Sequence, residues 1–317
     1  MSATEVKSGD YSDSAVAPVT IPSECAGLRL DAVLAQLFPD HSRSRLQGWL
    51  KAGLVRLDDA VADPKRKVRG GESVVCAVPP APTLAEAPED IPFPIVYEDA
   101  VILVINKPAG LVVHPGNGNA AGTLMNALLH HAPELSQVPR AGIVHRLDKD
   151  TSGLMAVAKT LAAQTDLVRQ LQARTVKRQY LALVHGRLVG GGTVDAPLGR
   201  HPVQRTKMAI VRQGGKAART HYTPAEQFAA CTLVECRLET GRTHQIRVHM
   251  ASLKHPLVGD PVYGKSACGS PVLDAFPRQA LHAFRLALVH PETQQEMHWE
   301  ATLPADFVQL LERVHAV

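Results

Sequence analysis

Apolar positions recur with two different periods along the chain. In 21–78, Leu28, Leu30, Val33, Leu34 and Leu37 fall on a helical stripe that Pro39 closes. A second helix is predicted over 43–52, with Ser42 as N-cap and Gly53 just beyond its C-terminus. Short strands are predicted at 54–57 and 73–77, around a basic turn, Lys65-Arg66-Lys67. Beyond residue 95 the pattern is rich in strands, predicted at 101–106, 154–159, 180–185, 208–211, 232–239 and 284–289. Helices are predicted over 121–131, 161–174, 244–253 and 305–315. The two kinds of element do not alternate regularly. That order favours an α+β domain on a mixed, mostly antiparallel sheet over a doubly wound one.

Composition adds boundaries. Residues 79–94 hold six prolines and read as an extended linker. Residues 1–20, rich in Ser, Ala and Asp, read as a disordered tail. The predicted organisation is therefore a tail 1–20, a small unit 21–78, a linker 79–94 and a large domain 95–317. The chain has 317 residues, 45% of them apolar, enough to bury a sizeable core. No uncharged apolar run reaches the roughly 18 residues of a membrane helix, so no membrane association is expected. The segment MSATEVKSGDYSDS carries acids and no apolar block, unlike a secretory signal. The five cysteines contain no CxxC pair, which argues against a disulfide framework or zinc ribbon and for a reducing cytoplasm. The 15 histidines contain no HExxH, so no metal site is expected. Nothing demands an oligomer, and a monomer is expected.

Charge changes the picture locally. Net charge is only +4, but 41–70 holds eight basic and three acidic residues, and 168–221 holds eleven basic residues and one acid. Between them, 81–100 holds five acids and no base. Two basic blocks point to surfaces that meet a polyanion, although a solvated basic face would look the same.

Three clusters carry candidate chemistry. GIVHRLDKDTSGL (142–154) packs His145, Arg146, Asp148, Lys149 and Asp150 between two apolar runs, as a loop at a rigid edge would. An aspartate among cations favours the carboxylate, which can act as nucleophile or base. Taken alone, Asp148 or Asp150 suits a turn or cap as well. LETGRTHQIRVH (238–249) reads as a strand, a turn at Gly241 and a helix capped by Thr243, with His244 and Arg247 on one face. Arg247 could orient a carboxylate or make a structural ion pair. VKRQYLAL (176–183) sets Tyr180 at the start of a strand, where a core ring is the ordinary role. GDPVYGKS (259–266) formally satisfies the phosphate-cradling GxxxxGK[ST], but its flanks make a poor strand and a poor helix, and Asp260 would oppose phosphate.

Together these segments resemble the RNA pseudouridine synthases, in the branch that modifies large-subunit (23S) ribosomal RNA. HRLDKDTSGL is similar to the family's catalytic-aspartate motif, KRQYLALVHG to its tyrosine motif and LETGRTHQIRVHM to its arginine motif. INKPAGLVVHPG (105–116) and HPLVGDPVYG (255–264) fit as well, and the latter accounts for most of the P-loop match. LRLDAVL, HSRSRLQGWL and KRKVRGGE resemble an S4 RNA-binding domain. The resemblance implies that Asp148 is the catalytic aspartate. It puts Tyr180 under the base as a candidate for proton transfer, and Arg247 against the aspartate. Arg146 would fill the gap left by a flipped nucleotide. It implies ribosomal RNA or the large ribosomal subunit as partner. Isomerising uridine to pseudouridine imports no group and changes no oxidation state, so no cofactor is expected. Phosphate contacts are expected from Arg43, Arg45, Lys51, Lys65, Arg66 and Lys67 in the S4 unit, and from Arg200, Arg205, Lys207, Arg212 and Lys216 in the second basic block. A pure RNA clamp and a metal- or nucleotide-dependent hydrolase are the competing classes.

Overall fold

A computed structural model describes residues 18–38, 43–58, 60–63, 66–76, 87–116, 119–204, 206–264 and 268–316, without the side chains of 43–45. The expected tail up to residue 17, linker residues 79–86, the cap Ser42, Lys65, Arg205 and the side chains of Arg43 and Arg45 lie outside the described residues. The chain divides into two compact units, Met1–Leu84 and Ala85–Val317.

The small unit runs β1 (Val19–Thr20), α1 (Leu30–Leu37), α2 (Arg43–Lys51), β2 (Val55–Leu57), β3 (Ala60–Val61) and β4 (Ser73–Cys76). Its sheet has the order β1-β4-β2-β3. Leu30, Val33 and Leu34 of α1 meet Leu46, Trp49 and Leu50 of α2 over the inward residues of β2 and β4. This apolar set follows the helical and strand periods closely. Gly53 takes φ +72° after α2, the left-handed step that ends the helix. Val19 and Thr20, expected in the tail, instead pair with Val74 and Ser73.

The large unit runs β5 (Ile95–Glu98), β6 (Ile102–Lys107), α3 (Leu124–His131), β7 (Ser152–Ala158), α4 (Leu161–Ala173), β8 (Lys177–His185) and β9 (Gly192–Asp195). It continues with β10 (Leu198–Arg200), β11 (Met208–Ile210), β12 (Arg219–Gln227), β13 (Cys231–Leu238), α5 (Gln245–Ser252), α6 (Pro271–Asp274), β14 (Leu281–Val289), β15 (Glu296–Glu300) and α7 (Ala305–His315). Nine strands form one sheet in the order β5-β6-β7-β14-β8-β13-β12-β9, with β15 against β14. β7 and β14 pair parallel. The other neighbours in this sheet are antiparallel. The mixed, mostly antiparallel α+β architecture is the expected one. β10 and β11 form a separate hairpin.

The differences have physical causes. α3 starts at Leu124 rather than at 121 because Thr123 and Asn126 form a reciprocal capping box. Buried Asn126 also bonds the Ala87 carbonyl through Nδ2, and its own carbonyl accepts from Glu89 N–H. Part of the expected linker is thereby fixed to α3. β12 was not predicted because its sequence, RTHYTPAEQ, has almost no apolar alternation. Its register against β13 and β9 supplies the strand instead. Among the described residues no helix is long and apolar enough to cross a membrane.

Candidate active site

A cleft of about 590 Å³ opens along the large sheet. Its walls come from the loop before β7, from α4, from the start of β8 and from the β13–α5 turn. Asp148, Tyr180, Arg247 and Arg146 all line it. The residues singled out in the sequence are therefore brought together in space.

The loop bearing Asp148 is held from several sides. The Lys107 ammonium, whose residue is fully buried, donates to the carbonyls of Pro108, Leu111 and Lys149 at 2.8–2.9 Å. Gly110 N–H donates to the Lys149 carbonyl at 2.9 Å. Arg278 donates to the Asp150 carbonyl at 3.0 Å. Burial pulls the Lys107 pKa down to about 7, while nearby Asp150 and Asp148 pull it back up. Three carbonyls use all three donors of the charged form, which favours the ammonium. Gly153 follows with φ +119°, and a Cβ there would meet the Ala283 carbonyl oxygen at 2.3 Å. Only glycine lets β7 approach β14 this closely.

Arg247 makes a three-pronged contact from α5. Its Nη1 donates to Asp148 Oδ2 at 3.0 Å. Nε and Nη2 fork onto Asp260 at 2.7 and 2.9 Å. The bidentate partner is thus Asp260, and Asp148 takes the remaining arm. Asp260 is fixed in turn by the N–H groups of Val262 and Tyr263 at 2.8 and 3.0 Å. Burial opposes charge on both partners. The mutual contact wins, holding the Arg247 pKa above its usual value and that of Asp260 below its own.

The start of α5 departs from expectation. Thr243 does not cap it. His244 occupies the N-cap position with left-handed φ of 56° and no side-chain cap bond. The Gln245 side chain instead folds back on the turn before the helix, accepting from Arg242 N–H at 3.0 Å. His244 therefore precedes the helix, with Nε2 3.9 Å from Asp148 Oδ1 and Nδ1 2.9 Å from the Tyr263 hydroxyl. Tyr263 also accepts from Met208 N–H, which ties the β10–β11 hairpin to the site.

Tyr180 lies on β8, 6% exposed within the main core cluster. Burial pushes its pKa up. Arg178 pulls it back and Asp148 adds to the rise. The ring presents a protonated phenol to the cleft. His145 has its pKa lowered by burial to about 3, with Arg178 adding to the effect, so it is neutral. Its Nε2 accepts from Ala156 N–H and anchors the loop to β7. Among the described residues no group of three His, Cys, Asp or Glu is placed to hold a metal ion.

The expected RNA contacts are more scattered. Arg146 is exposed on the cleft wall. Lys51, Arg66 and Lys67 are exposed on the small unit, and Arg200, Arg212 and Lys216 on the large one. Lys207 is half-buried beside β11. Sequence reading gave no role to Asp260 beyond opposing phosphate, and none to Lys107 or Arg178. The GDPVYG and INKPAG segments that contain the first two were visible, but not what those side chains reach.

Comparison with known proteins places the chain in a family. Residues 101–252 match the model of the RNA pseudouridylate synthase family, and 28–74 match the S4 domain. A protein of Nitrosomonas europaea is 59% identical over 300 residues, spanning 93% of this chain and 87% of its own length. One of Xanthomonas campestris is 55% identical over 313 residues, spanning 96% and 94%. The chain belongs to the RNA pseudouridine synthase family, enzymes that isomerise uridine in RNA, and carries an S4 domain. Both relatives bear the name Ribosomal large subunit pseudouridine synthase D. Among solved structures, Human RNA Pseudouridylate Synthase Domain Containing 4 aligns with TM-score 0.56 and 26% identity over 70% of this chain and 93% of that one.

Proposed function

We propose that the protein converts specific uridines of large-subunit (23S) ribosomal RNA to pseudouridine, as a cytoplasmic monomer, and that Asp148 assists cleavage of the glycosidic bond. The observation that carries this reading is the carboxylate of Asp148 at the cleft wall, held at 3.0 Å by a guanidinium that Asp260 locks from behind. A carboxylate placed this way is oriented toward an incoming sugar. The names of the relatives support the substrate.

The chemistry balances without a co-reactant. The N1–C1′ bond breaks and its electron pair stays on the uracil. The detached base turns, C5 bonds to C1′, the C5 proton leaves and N1 gains one. Asp148 serves either by attack at C1′ or by drawing a proton from the sugar. Tyr180 lies under the base and serves the proton transfer. The target uridine sits in folded RNA and is flipped out, at a cost of a few kcal/mol that pocket contacts offset. Arg146 takes the space it leaves. Residues 21–78 act as the S4 domain, joined through the Pro-rich segment 79–94 to 95–317, which act as the catalytic domain. Arg43, Arg45, Lys51, Lys65, Arg66 and Lys67 supply phosphate contacts from the first, Arg205 and Lys207 from the second.

The test is pseudouridine mapping of large-subunit ribosomal RNA incubated with wild type or Asp148→Asn, without cofactor and with chelator. Product at defined uridines with wild type alone is expected. No product on free RNA or on intact subunits would sink the reading. A six-phosphate footprint also predicts a log–log salt slope of about −4 to −5.

A further inference from the structure

One charge on the cleft wall has no counter-charge among the described residues. Arg178 stands two residues before Tyr180 on β8, so both side chains face the cleft. Arg178 is only 7% exposed. Its Nε is buried without a hydrogen-bond partner, and among the described residues no carboxylate pairs with its guanidinium. The other two buried arginines differ. Arg247 forks onto Asp260, and Arg278 onto Asp306 at 2.7 and 2.9 Å. The acid on the same wall, Glu239, is occupied by Arg174, Arg219 and His221. A buried guanidinium without an anion is strongly unfavourable in the free protein. A fold that keeps one gains from it only when a ligand supplies the charge.

The surroundings indicate which anion. Gly241 leaves room for the guanidinium: a Cβ there would meet Arg178 Nη1 at 2.5 Å. Arg242 follows, exposed, with its charge close enough to act on Arg178. Two neighbouring cations suit a phosphodiester, whose two free oxygens match a guanidinium fork. The edge of a uracil is neutral and would leave this pair uncompensated.

We propose that Arg178 binds the RNA phosphate adjacent to the flipped uridine and so fixes the nucleotide against Asp148. This rests on the reading of the cleft as the site of uridine isomerisation. Arg178 is on this view a positioning residue, gripping the backbone while Asp148 meets the sugar.

The test uses the full-length protein and a ribosomal stem-loop carrying a mapped target uridine. One neutral methylphosphonate is placed at the phosphate 5′ or 3′ of that uridine. At one of these positions, wild type is expected to bind about 10- to 100-fold more weakly, the range of a charge-assisted contact. Arg178→Met should show the same loss on unmodified RNA and no further loss at that position. Its salt slope should be shallower by about 0.7–0.9. Arg178→Lys should recover part of the affinity. Without RNA, Arg178→Met should melt at a higher temperature than wild type, because an unpaired buried charge is gone; a purely structural arginine would give a lower one. Indifference of wild type at both positions, additive losses in the variant, or a lowered melting temperature would each overturn the proposal. Product formation by wild type on unmodified RNA is scored separately. If it is absent, the reading of the cleft fails and this inference with it.

Discussion

Two sides of the cleft handle buried arginine in opposite ways. On one side, Arg247 is 4% exposed and bonded to Asp148 and Asp260, and Asp260 takes two backbone N–H groups besides. On the other, Arg178 is nearly as buried and has no acid among the described residues. A saturated cluster has one arrangement and loses much when its Arg247–Asp260 fork is broken. An unsaturated charge makes no such contribution to the free protein, and its compensation comes with substrate. The first side sets geometry and the second grips.

The contrast is broken most severely at Asp148. Asp148→Asn removes the carboxylate proposed to react and should lower turnover by at least about 10⁴-fold. Arg247 keeps Asp260, so the melting temperature should hold. A normal rate of pseudouridine formation by this variant would remove Asp148 from the mechanism.

Asp260→Ala acts through the support instead. It leaves a buried guanidinium with only Asp148 and should cost about 3–5 kcal/mol in urea unfolding. Turnover should fall as the arm to Asp148 loses its brace. Unchanged stability and rate would mean that the fork does not set the carboxylate.

Tyr180→Phe keeps the packed ring and deletes the hydroxyl. If that oxygen serves proton transfer, kcat drops about 10²-fold while KM for RNA moves little. A change confined to KM would assign Tyr180 to packing alone.

The smallest effect tests charge pairing away from the cleft. Asp99 is partly buried, which opposes ionisation. The N–H groups of Ile102 and Val101, the Tyr97 hydroxyl and His290 outweigh that and hold its pKa at about 2. A carboxylate with a lowered folded pKa stabilises above its unfolded value of roughly 3.9, and this stability is lost as pH falls toward 2. Asp99→Asn should therefore cost about 2 kcal/mol near neutral pH and less at pH 3, read from melting curves across pH. An equal loss at both values would mean that the charge of Asp99 contributes nothing.

Much of this was legible beforehand. Asp148, Tyr180 and Arg247 stand in long, specific motifs, and the helical stripe of Leu30, Val33 and Leu34 repeats within a single turn of chain. α4 and α7 fell close to their predicted bounds because their signal is local periodicity. β12 escaped because its strand character resides in its neighbours' hydrogen bonds.

Local chemistry thus determined the family motifs, the two-unit plan and the candidates for the reacting groups, since each depends on residues close in sequence. Tertiary structure alone decided which charge meets which. Asp148 and Arg247 lie 99 positions apart, and Lys107 reaches Lys149 across 42. Whether a buried arginine is paired, as Arg247 is, or bare, as Arg178 is, depends on which side chains the sheet brings within about 3 Å, and spacing along the chain does not encode that distance.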